Sequence, residues 1–249
     1  SVYNLLKLIK PDIVHHQGGF RKLFHDVCAK LRIQFISGIH FWTGIIKLNP
    51  ETFNVNILEN YEKHSPEPDL KQLIESKYCT LYTVSKFVDE CIQKICHVKV
   101  DHLAYSGSSK KTCYIPNLDI FANKFVTIIN IHKFKGGELA YYLLETLKDV
   151  SFILIKTEYG SEELDAKIAD LIKWRNENAY AESYLYERTN NIKAIYEKTK
   201  IFLASSIVDE TFCRTANEAM MNGIPVITTG QGNLKYFLNG TEFIIPIYE

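Results

Sequence analysis

The sequence predicts an α/β protein made of two Rossmann-like halves, each with a parallel sheet between helices. Short apolar, β-rich runs alternate with longer helix-like stretches along the chain, which is typical of parallel sheets covered on both faces. The length, 249 residues, suits one large domain or two small ones. A Pro-Asn segment at 115–119 separates two such alternating series. We therefore place the halves at residues 1–116 and 117–249, with a cleft between them.

The first half contains three apolar runs that predict strands. These runs lie at 13–15, 34–36 and 80–84. A helix is predicted at 20–31, with Leu23, Phe24, Val27 and Leu31 on its apolar face. A second helix is predicted at 86–96, because Ser85 is a favourable N-cap. Between them, residues 49–76 contain three prolines and are less regular.

The second half repeats the alternation. Strands are predicted at 125–129, 152–155, 201–204, 225–227 and 243–246. Helices are predicted from Gly137 to 147, at 164–174 and at 214–222, where Gly223 ends the last of them. The first half opens at a helix end and the second stops after a strand. We therefore expect a fragment of a longer protein in which both halves are incomplete.

Charge and composition argue against several classes of protein. Lys and Arg total 29 and Asp and Glu total 29, so the formal net charge is zero. A nucleic-acid binder usually shows a basic excess, so we expect no nucleic-acid partner. No apolar run approaches the ~20 residues of a membrane helix. Six scattered cysteines without a C-x-x-C pair predict reduced thiols of an intracellular protein.

The strongest motif is a pair of glutamates separated by seven residues. Glu210 follows the strand at 201–204, and Glu218 falls one turn into the next predicted helix, which begins at Arg214. The N-terminus of that helix presents backbone N–H groups and the positive end of its dipole. A diphosphate fits there, at the carboxyl ends of a parallel sheet. A carboxylate one turn in can accept hydrogen bonds from ribose hydroxyls.

A second motif follows the strand at 125–129. It reads Asn-Ile-His-Lys-Phe-Lys-Gly-Gly from Asn130 to Gly137, directly before a predicted helix. By itself, Lys-Gly-Gly indicates only a turn that leads into a helix.

Together these motifs resemble the retaining nucleotide-sugar glycosyltransferases of the GT-B fold, of the family-four type. Their E-x7-E motif is followed by Glu-Ala-Met and Gly-x-Pro-Val, as at 218–220 and 223–226 here. The resemblance implies that Glu218 binds the ribose and that Glu210 lies beside the donor sugar. It implies that the donor is bound by Asn130, His132, Lys135, Phe212, Cys213, Arg214 and Glu218.

The chain departs from the family at named positions. The family's loop reads Gly-Arg-x-x-x-x-Lys-Gly, where Lys135 matches the lysine but Asn130 stands at the arginine. His132 or Lys133 is a candidate to supply the missing charge. Cys213 replaces the glycine that follows the phenylalanine. Weaker matches to the family lie at 83–87, 115–119 and 230–234, and Tyr236 replaces a glutamate.

His40 follows the strand at 34–36. In the family, a histidine after this strand lines the cleft near the reacting sugar, so the resemblance implies a catalytic role for His40 together with Glu210. The alternative is a structural histidine beside the Phe41-Trp42 pair. His15, His16 and Gln17 end an earlier strand at the same edge, where they either line the acceptor side or form a turn.

The resemblance implies a glycosyltransferase that moves a hexose-type sugar from a nucleotide diphosphate to an acceptor hydroxyl with retention. It implies no metal and no cofactor, and the sequence has no Asp-x-Asp pair. The alternatives are a non-catalytic nucleotide-sugar-binding or scaffolding domain, and a sugar-nucleotide epimerase of the same fold.

The partners would be a nucleotide sugar and a saccharide, lipid-linked or protein acceptor. We expect a cytoplasmic protein, with peripheral membrane association as an alternative. The sequence gives no indication of the oligomeric state.

Overall fold

A computed structural model describes residues 1–46, 57–58, 60–158, 160–237 and 243–244. The chain divides into two compact units, Ser1–Ser106 and Gly107–Glu249. Each unit has its own parallel sheet. The segment from Gly107 to residue 116 packs in the second unit, where the Ile115 N–H donates to Asn222 Oδ1 at 2.8 Å.

The first unit has a sheet of four parallel strands in the order β1-β2-β3-β4. Its elements are α1 (Val2–Ile9), β1 (Ile13–His16), α2 (Arg21–Leu31), β2 (Gln34–Ile39), α3 (Leu70–Ile74), β3 (Cys79–Thr83), α4 (Lys86–Cys96) and β4 (His102–Leu103). Short 3-10 turns lie at Trp42–Gly44 and Tyr61–Lys63.

The two longer helices of this unit show how the sequence sets their ends and faces. Ser85 caps α4 as predicted, with its hydroxyl accepting the Val88 N–H at 3.2 Å. The apolar face predicted for α2 is right only in part. Phe24, Val27 and Leu31 are half-buried, but Leu23 is 55% exposed, and His25 and Cys28 are the buried residues. Burial of His25 is tolerated because Ser76 Oγ lies 2.8 Å from its Nε2.

The second unit has a sheet of five parallel strands in the order β7-β6-β5-β8-β9. Its elements are α5 (Lys110–Cys113), β5 (Phe125–Ile129), α6 (Gly137–Thr146), β6 (Ser151–Ile155), α7 (Glu162–Glu177), β7 (Ser183–Tyr186), α8 (Ile192–Tyr196), β8 (Thr199–Ala204), α9 (Arg214–Met221), β9 (Val226–Thr228) and α10 (Leu234–Phe237). A 3-10 turn lies at Lys133–Lys135.

The order of these strands sets where a ligand can bind. From the central strand β5, the chain goes to β6 and β7 on one side and then to β8 and β9 on the other. Strand order therefore reverses between β5 and β8. In open α/β sheets, ligands bind outside the carboxyl ends of the strands at such a reversal.

The predicted fold class is confirmed, and the predicted strands lie within one to three residues of the observed ones. Two strands were missed. β4 has only two residues, and β7 is a four-residue edge strand in which only Ser183 is buried. Of the strand predicted at 243–246, residues 245–246 lie outside the described residues, and Ile244 forms a parallel bridge with Thr228. Of the less regular segment at 49–76, residues 49–56 and 59 also lie outside them.

Candidate active site

Three loops meet at the carboxyl edge of the second unit's sheet, after β5, β8 and β9. The loop after β8 is tied to the loop after β5, because Ser205 Oγ donates to the Lys135 carbonyl at 2.9 Å and the Ile207 N–H donates to the Phe134 carbonyl at 3.1 Å. It is tied to the loop after β9, because the Asn233 N–H donates to the Glu210 carbonyl at 2.8 Å. The candidate donor site is therefore built from these three loops.

Two glycines allow the loops to approach each other. Gly136 has φ +79°, and a Cβ there would lie 2.3 Å from the Ser205 carbonyl oxygen. Gly232 has φ +60°, and a Cβ there would lie 2.4 Å from the Glu210 nitrogen. Any residue with a Cβ would be strained in this left-handed backbone conformation and would clash with the neighbouring loop. The weak sequence match at 230–234 therefore belongs to the segment that packs against Glu210.

Glu210 is the centre of a polar cluster drawn from two loops. Its Oε1 accepts hydrogen bonds from Lys135 Nζ and Ser206 Oγ. The Glu210 side chain is 13% exposed and that of Lys135 is 36% exposed. The carboxylate thus holds the lysine ammonium at a partly open edge. A cation in this position can contact an anionic ligand at the switch between β5 and β8.

Glu218 lies one turn into α9, where the sequence places it, and each of its oxygens has a different neighbour. Oε2 accepts a hydrogen bond from the Tyr196 hydroxyl at 3.1 Å. Oε1 lies 3.7 Å from Arg214 Nη2, and the Arg214 side chain is 67% exposed. Burial and, after it, the Glu218 charge raise the pKa of Tyr196. Tyr196 therefore stays a neutral phenol that can donate.

Cys213 precedes α9 in a backbone conformation that favours glycine. Its φ is +64°, in the left-handed region that L-residues other than Gly, Asn and Asp rarely adopt. The requirement for this conformation explains why a glycine is expected at this position. Burial, followed by the charge of Glu210, raises the pKa of Cys213 to about 12. The thiol is therefore neutral and adds no negative charge beside the N-terminus of α9.

The other predicted donor residues lie on the same loops. Asn130 directly follows β5, is exposed and has φ +66°. His132 Nδ1 accepts the Phe134 N–H at 3.1 Å and so caps the turn at Lys133–Lys135. The Phe212 side chain is buried, and its carbonyl accepts a hydrogen bond from Asn233 Nδ2 at 3.2 Å. His132 and Phe212 therefore support the loops as well as border the site.

In the first unit, polar side chains near the carboxyl ends of β1, β2 and β3 surround the hydroxyl of Tyr82. The Tyr82 hydroxyl lies 3.0 Å from His15 Nε2, 3.4 Å from His40 Nε2 and 3.1 Å from Gln17 Nε2, which donates to it. Gly38 makes room, since a Cβ there would lie 2.5 Å from both the His40 and Tyr82 rings. Sequence patterns did not single out Tyr82, because its partners lie far away along the chain.

His40 also lines a pocket of about 370 Å³ in this unit. The lining includes Gly18, Gly19, Phe20, Arg21, Phe41 and Glu67. Burial, then the charges of Arg21 and His15, lower the pKa of His40. Its imidazole is therefore neutral at pH 7 and can accept or donate a proton at the pocket wall.

A chain of hydrogen bonds underlies this pocket. Arg21 Nε donates to Ser37 Oγ at 3.0 Å, and Ser37 Oγ lies 3.3 Å from His16 Nδ1. His16 Nε2 in turn lies 2.9 Å from the Gly19 carbonyl, to which it can only donate. A neutral His16 with its proton on Nε2 satisfies every member of the chain. Burial is the main cause of the lowered pKa of His16, and the Arg21 charge adds to it.

Within the described parts of the chain, His, Cys, Asp and Glu side chains form no group of three or more that could hold a metal ion. The described helices also include none with the length and hydropathy of a transmembrane span.

Solved structures with a similar fold include a glycosyltransferase and a sucrose-phosphate synthase. A glycosyltransferase from Rickettsia africae matches with a TM-score of 0.70 at 17% identity, covering 96% of this chain and 63% of that one. Sucrose-phosphate synthase from Thermosynechococcus elongatus matches at 0.69 and 16% identity, covering 100% and 64%. HepE of Anabaena in complex with UDP-glucose matches at 0.65 and 16% identity, covering 100% and 68%. This chain thus spans about two thirds of their lengths.

At these identities the likeness establishes the fold. No curated protein shows a significant sequence match. Residues 125–247 match the family described as glycosyl transferases group 1, and this segment contains all the residues predicted to bind the donor. The chain therefore has the fold of GT-B glycosyltransferases, and its residues 125–247 are similar to the glycosyl transferases group 1 family.

Proposed function

We propose that the protein transfers a sugar from a nucleoside-diphosphate sugar to an acceptor hydroxyl, with retention of anomeric configuration and without a metal. The second unit would bind the donor and the first unit the acceptor. HepE, a protein of similar fold, is described in complex with UDP-glucose, which supports a donor of this class.

One observation carries the proposal most directly. The loop after β5 supplies the cation of Lys135, and the loop after β8 supplies Glu210 and the N-terminus of α9 at the same sheet edge. Glu218 lies one turn further along that helix. This arrangement offers a cation and a helix dipole to a diphosphate and a carboxylate to ribose hydroxyls.

The reaction needs stabilisation of the leaving group above all. As the bond between the anomeric carbon and the diphosphate oxygen breaks, negative charge grows on the diphosphate, where Lys135 and the N-terminus of α9 would stabilise it. The acceptor oxygen forms the new bond to the anomeric carbon, and its proton passes to the departing diphosphate. We assign Glu210 to the donor sugar and His40 to the acceptor side, where its neutral imidazole can orient the reacting hydroxyl.

Two observations favour a second candidate, a nucleotide-sugar-binding or scaffolding domain without turnover. Asn130 is neutral where the family has an arginine, and Lys135 is already paired with Glu210. Both reduce the positive charge available to a leaving diphosphate. A sugar-nucleotide epimerase of the same fold remains an alternative from the resemblance, and no contact among the residues that the structure describes favours it.

Product analysis separates these functions. Nucleotide sugars are screened by thermal shift, because a ligand at 100 times its Kd adds about 2.7 kcal/mol of stability. The best donor is then incubated with mono- and oligosaccharide acceptors, with and without EDTA. The proposal predicts a glycoside whose anomeric proton shows the configuration of the donor, in equal yield with EDTA. Binding without any product supports the scaffold, and an epimerised donor supports the epimerase.

Two variants test the catalytic assignments. Glu210→Gln and His40→Asn should each lower turnover by about tenfold or more, roughly 1.4 kcal/mol of barrier. Nucleoside diphosphate affinity should stay within about threefold. Lys124→Gln is the control, because it removes a surface lysine that is paired with Glu182. It should change neither turnover nor nucleoside diphosphate affinity. Wild-type turnover in both variants would refute the assignments.

A further inference from the structure

Tyr196 is a fully buried tyrosine whose hydroxyl reaches into the candidate donor site. It lies at the end of α8 with no exposed surface, in the apolar cluster with Phe202, Ala216 and Ala219. Its hydroxyl lies 3.1 Å from Glu218 Oε2 and 3.3 Å from the Thr215 carbonyl. A phenol has one proton to donate, and the shorter contact goes to the charged acceptor. Hydrogen bonds to charged groups are the stronger kind.

This bond gives the two oxygens of Glu218 different tasks. Oε2 is held on the buried side by Tyr196, while Oε1 faces the exposed Arg214 at the N-terminal end of α9. The hydrogen bond to Oε2 restrains the carboxylate and leaves Oε1 beside the Arg214 side chain. An unanchored glutamate would lose side-chain entropy on binding a ligand.

We infer that Tyr196 is a positioning residue that presents Glu218 Oε1 to the ribose hydroxyls of the donor and so sets preference for ribonucleotides. This inference rests on the proposed function, which assigns Glu218 to the ribose. Tyr196 itself touches no ligand. Its substitution should change the recognition of ribose hydroxyls and leave recognition of the diphosphate intact.

The test compares nucleoside diphosphates that differ only in the ribose hydroxyls. UDP, ADP and GDP are titrated calorimetrically into the whole protein, and the tightest of them is compared with its 2′,3′-dideoxy form. The affinity ratio is measured for wild type, Tyr196→Phe and Glu218→Ala. Tyr184→Phe is the matched control, because it removes a tyrosine–glutamate hydrogen bond of 2.8 Å to Glu182 on the surface.

We expect wild type and Tyr184→Phe to prefer the ribonucleotide by tenfold or more. Tyr196→Phe and Glu218→Ala should reduce that preference to threefold or less, with dideoxynucleotide affinity unchanged within threefold. A tenfold preference retained in Tyr196→Phe overturns the role of Tyr196 while leaving Glu218 on the ribose. A preference below threefold in wild type overturns the assignment of Glu218 to the ribose and, with it, the inference.

Loss of stability does not block the test. If Tyr196→Phe is largely unfolded, each nucleotide shifts the folded fraction by mass action. The ratio of affinities then follows from the concentrations of the two nucleotides that restore the same folded fraction. The same thresholds of tenfold and threefold apply.

Discussion

Replacement of Gly232 by alanine should disrupt the candidate donor site through a single added methyl group. Gly232 has φ +60°, and its Cβ would lie 2.4 Å from the nitrogen and 2.5 Å from the oxygen of Glu210. Both are backbone atoms, so no side-chain rotation relieves the clash. The matched control is Gly223→Ala, because Gly223 has φ +71° but nothing within 4 Å of the added Cβ.

The expected cost follows from two contributions. The left-handed conformation costs an alanine about 1–2 kcal/mol, and both variants bear this cost. Relief of the clash at Gly232 requires the Glu210 backbone to move by about 1 Å to ordinary contact distance. That movement weakens the bonds from Asn233 to the Glu210 and Phe212 carbonyls, 2.8 and 3.2 Å long. At about 1 kcal/mol each, Gly232→Ala should cost about 2 kcal/mol more than the control.

The assay is urea unfolding followed by tryptophan fluorescence, with Trp42→Phe as the common background so that Trp174 reports the second unit. Nucleoside diphosphate affinity is measured on the same proteins. We expect Gly232→Ala to weaken binding by about tenfold, roughly 1.4 kcal/mol, because displacement of the Glu210 backbone also moves the loop that leads into the N-terminus of α9, where the diphosphate is proposed to bind. Gly223→Ala should bind as the parent does. Equal unfolding free energies and affinities in the two variants would refute the argument from close approach.

Three further predictions concern charge and pH. Lys135→Gln should weaken nucleoside diphosphate binding by about tenfold and nucleoside binding by less than twofold. The control Lys124→Gln should change the affinity for neither ligand. Equal losses of affinity for both ligands would indicate a structural role for Lys135. The lowered pKa of His16 means that its stabilising effect is complete above the ordinary histidine pKa, about 6.5, and is lost as the pH falls below it. His16→Gln keeps a donor and an acceptor without titrating, so its unfolding free energy should fall less between pH 7.5 and 5.5 than that of wild type; identical falls would exclude His16. The lowered pKa of His40 predicts turnover that is constant from pH 7 to 8 and declines only in acid, and His40→Asn should abolish that decline.

Local sequence patterns were sufficient for seven of the nine described strands, for five of the helices and for the placement of the glutamate pair. The strand at 201–204, the helix start at Arg214 and the stop at Gly223 fix the positions of Glu210 and Glu218 along the chain. Strands and helix ends depend on residues that are close together in the sequence, so hydrophobic periodicity and end signals predict them. The family's glycine at the position of Cys213 also has a local explanation, because this position adopts a left-handed backbone conformation that favours glycine.

Contacts between distant segments could not be predicted in the same way. Tyr196 meets Glu218 across 22 positions and Tyr82 meets His15 across 67. A tyrosine in an apolar helix has the same local pattern whether its hydroxyl is satisfied by water or by a carboxylate. The burial of His25 was missed for a related reason, because Ser76, 51 positions away, supplies its partner.

Hydrogen–deuterium exchange of the whole protein, with and without a saturating nucleoside diphosphate, tests the central claim most directly. If the donor binds as proposed, protection should appear in the loops 130–136 and 205–213 and in α9 from Arg214 to Glu218. The first unit's pocket around His40 should exchange at the same rate with and without the nucleotide. Protection confined to that pocket, or none at saturating nucleotide, would contradict the account.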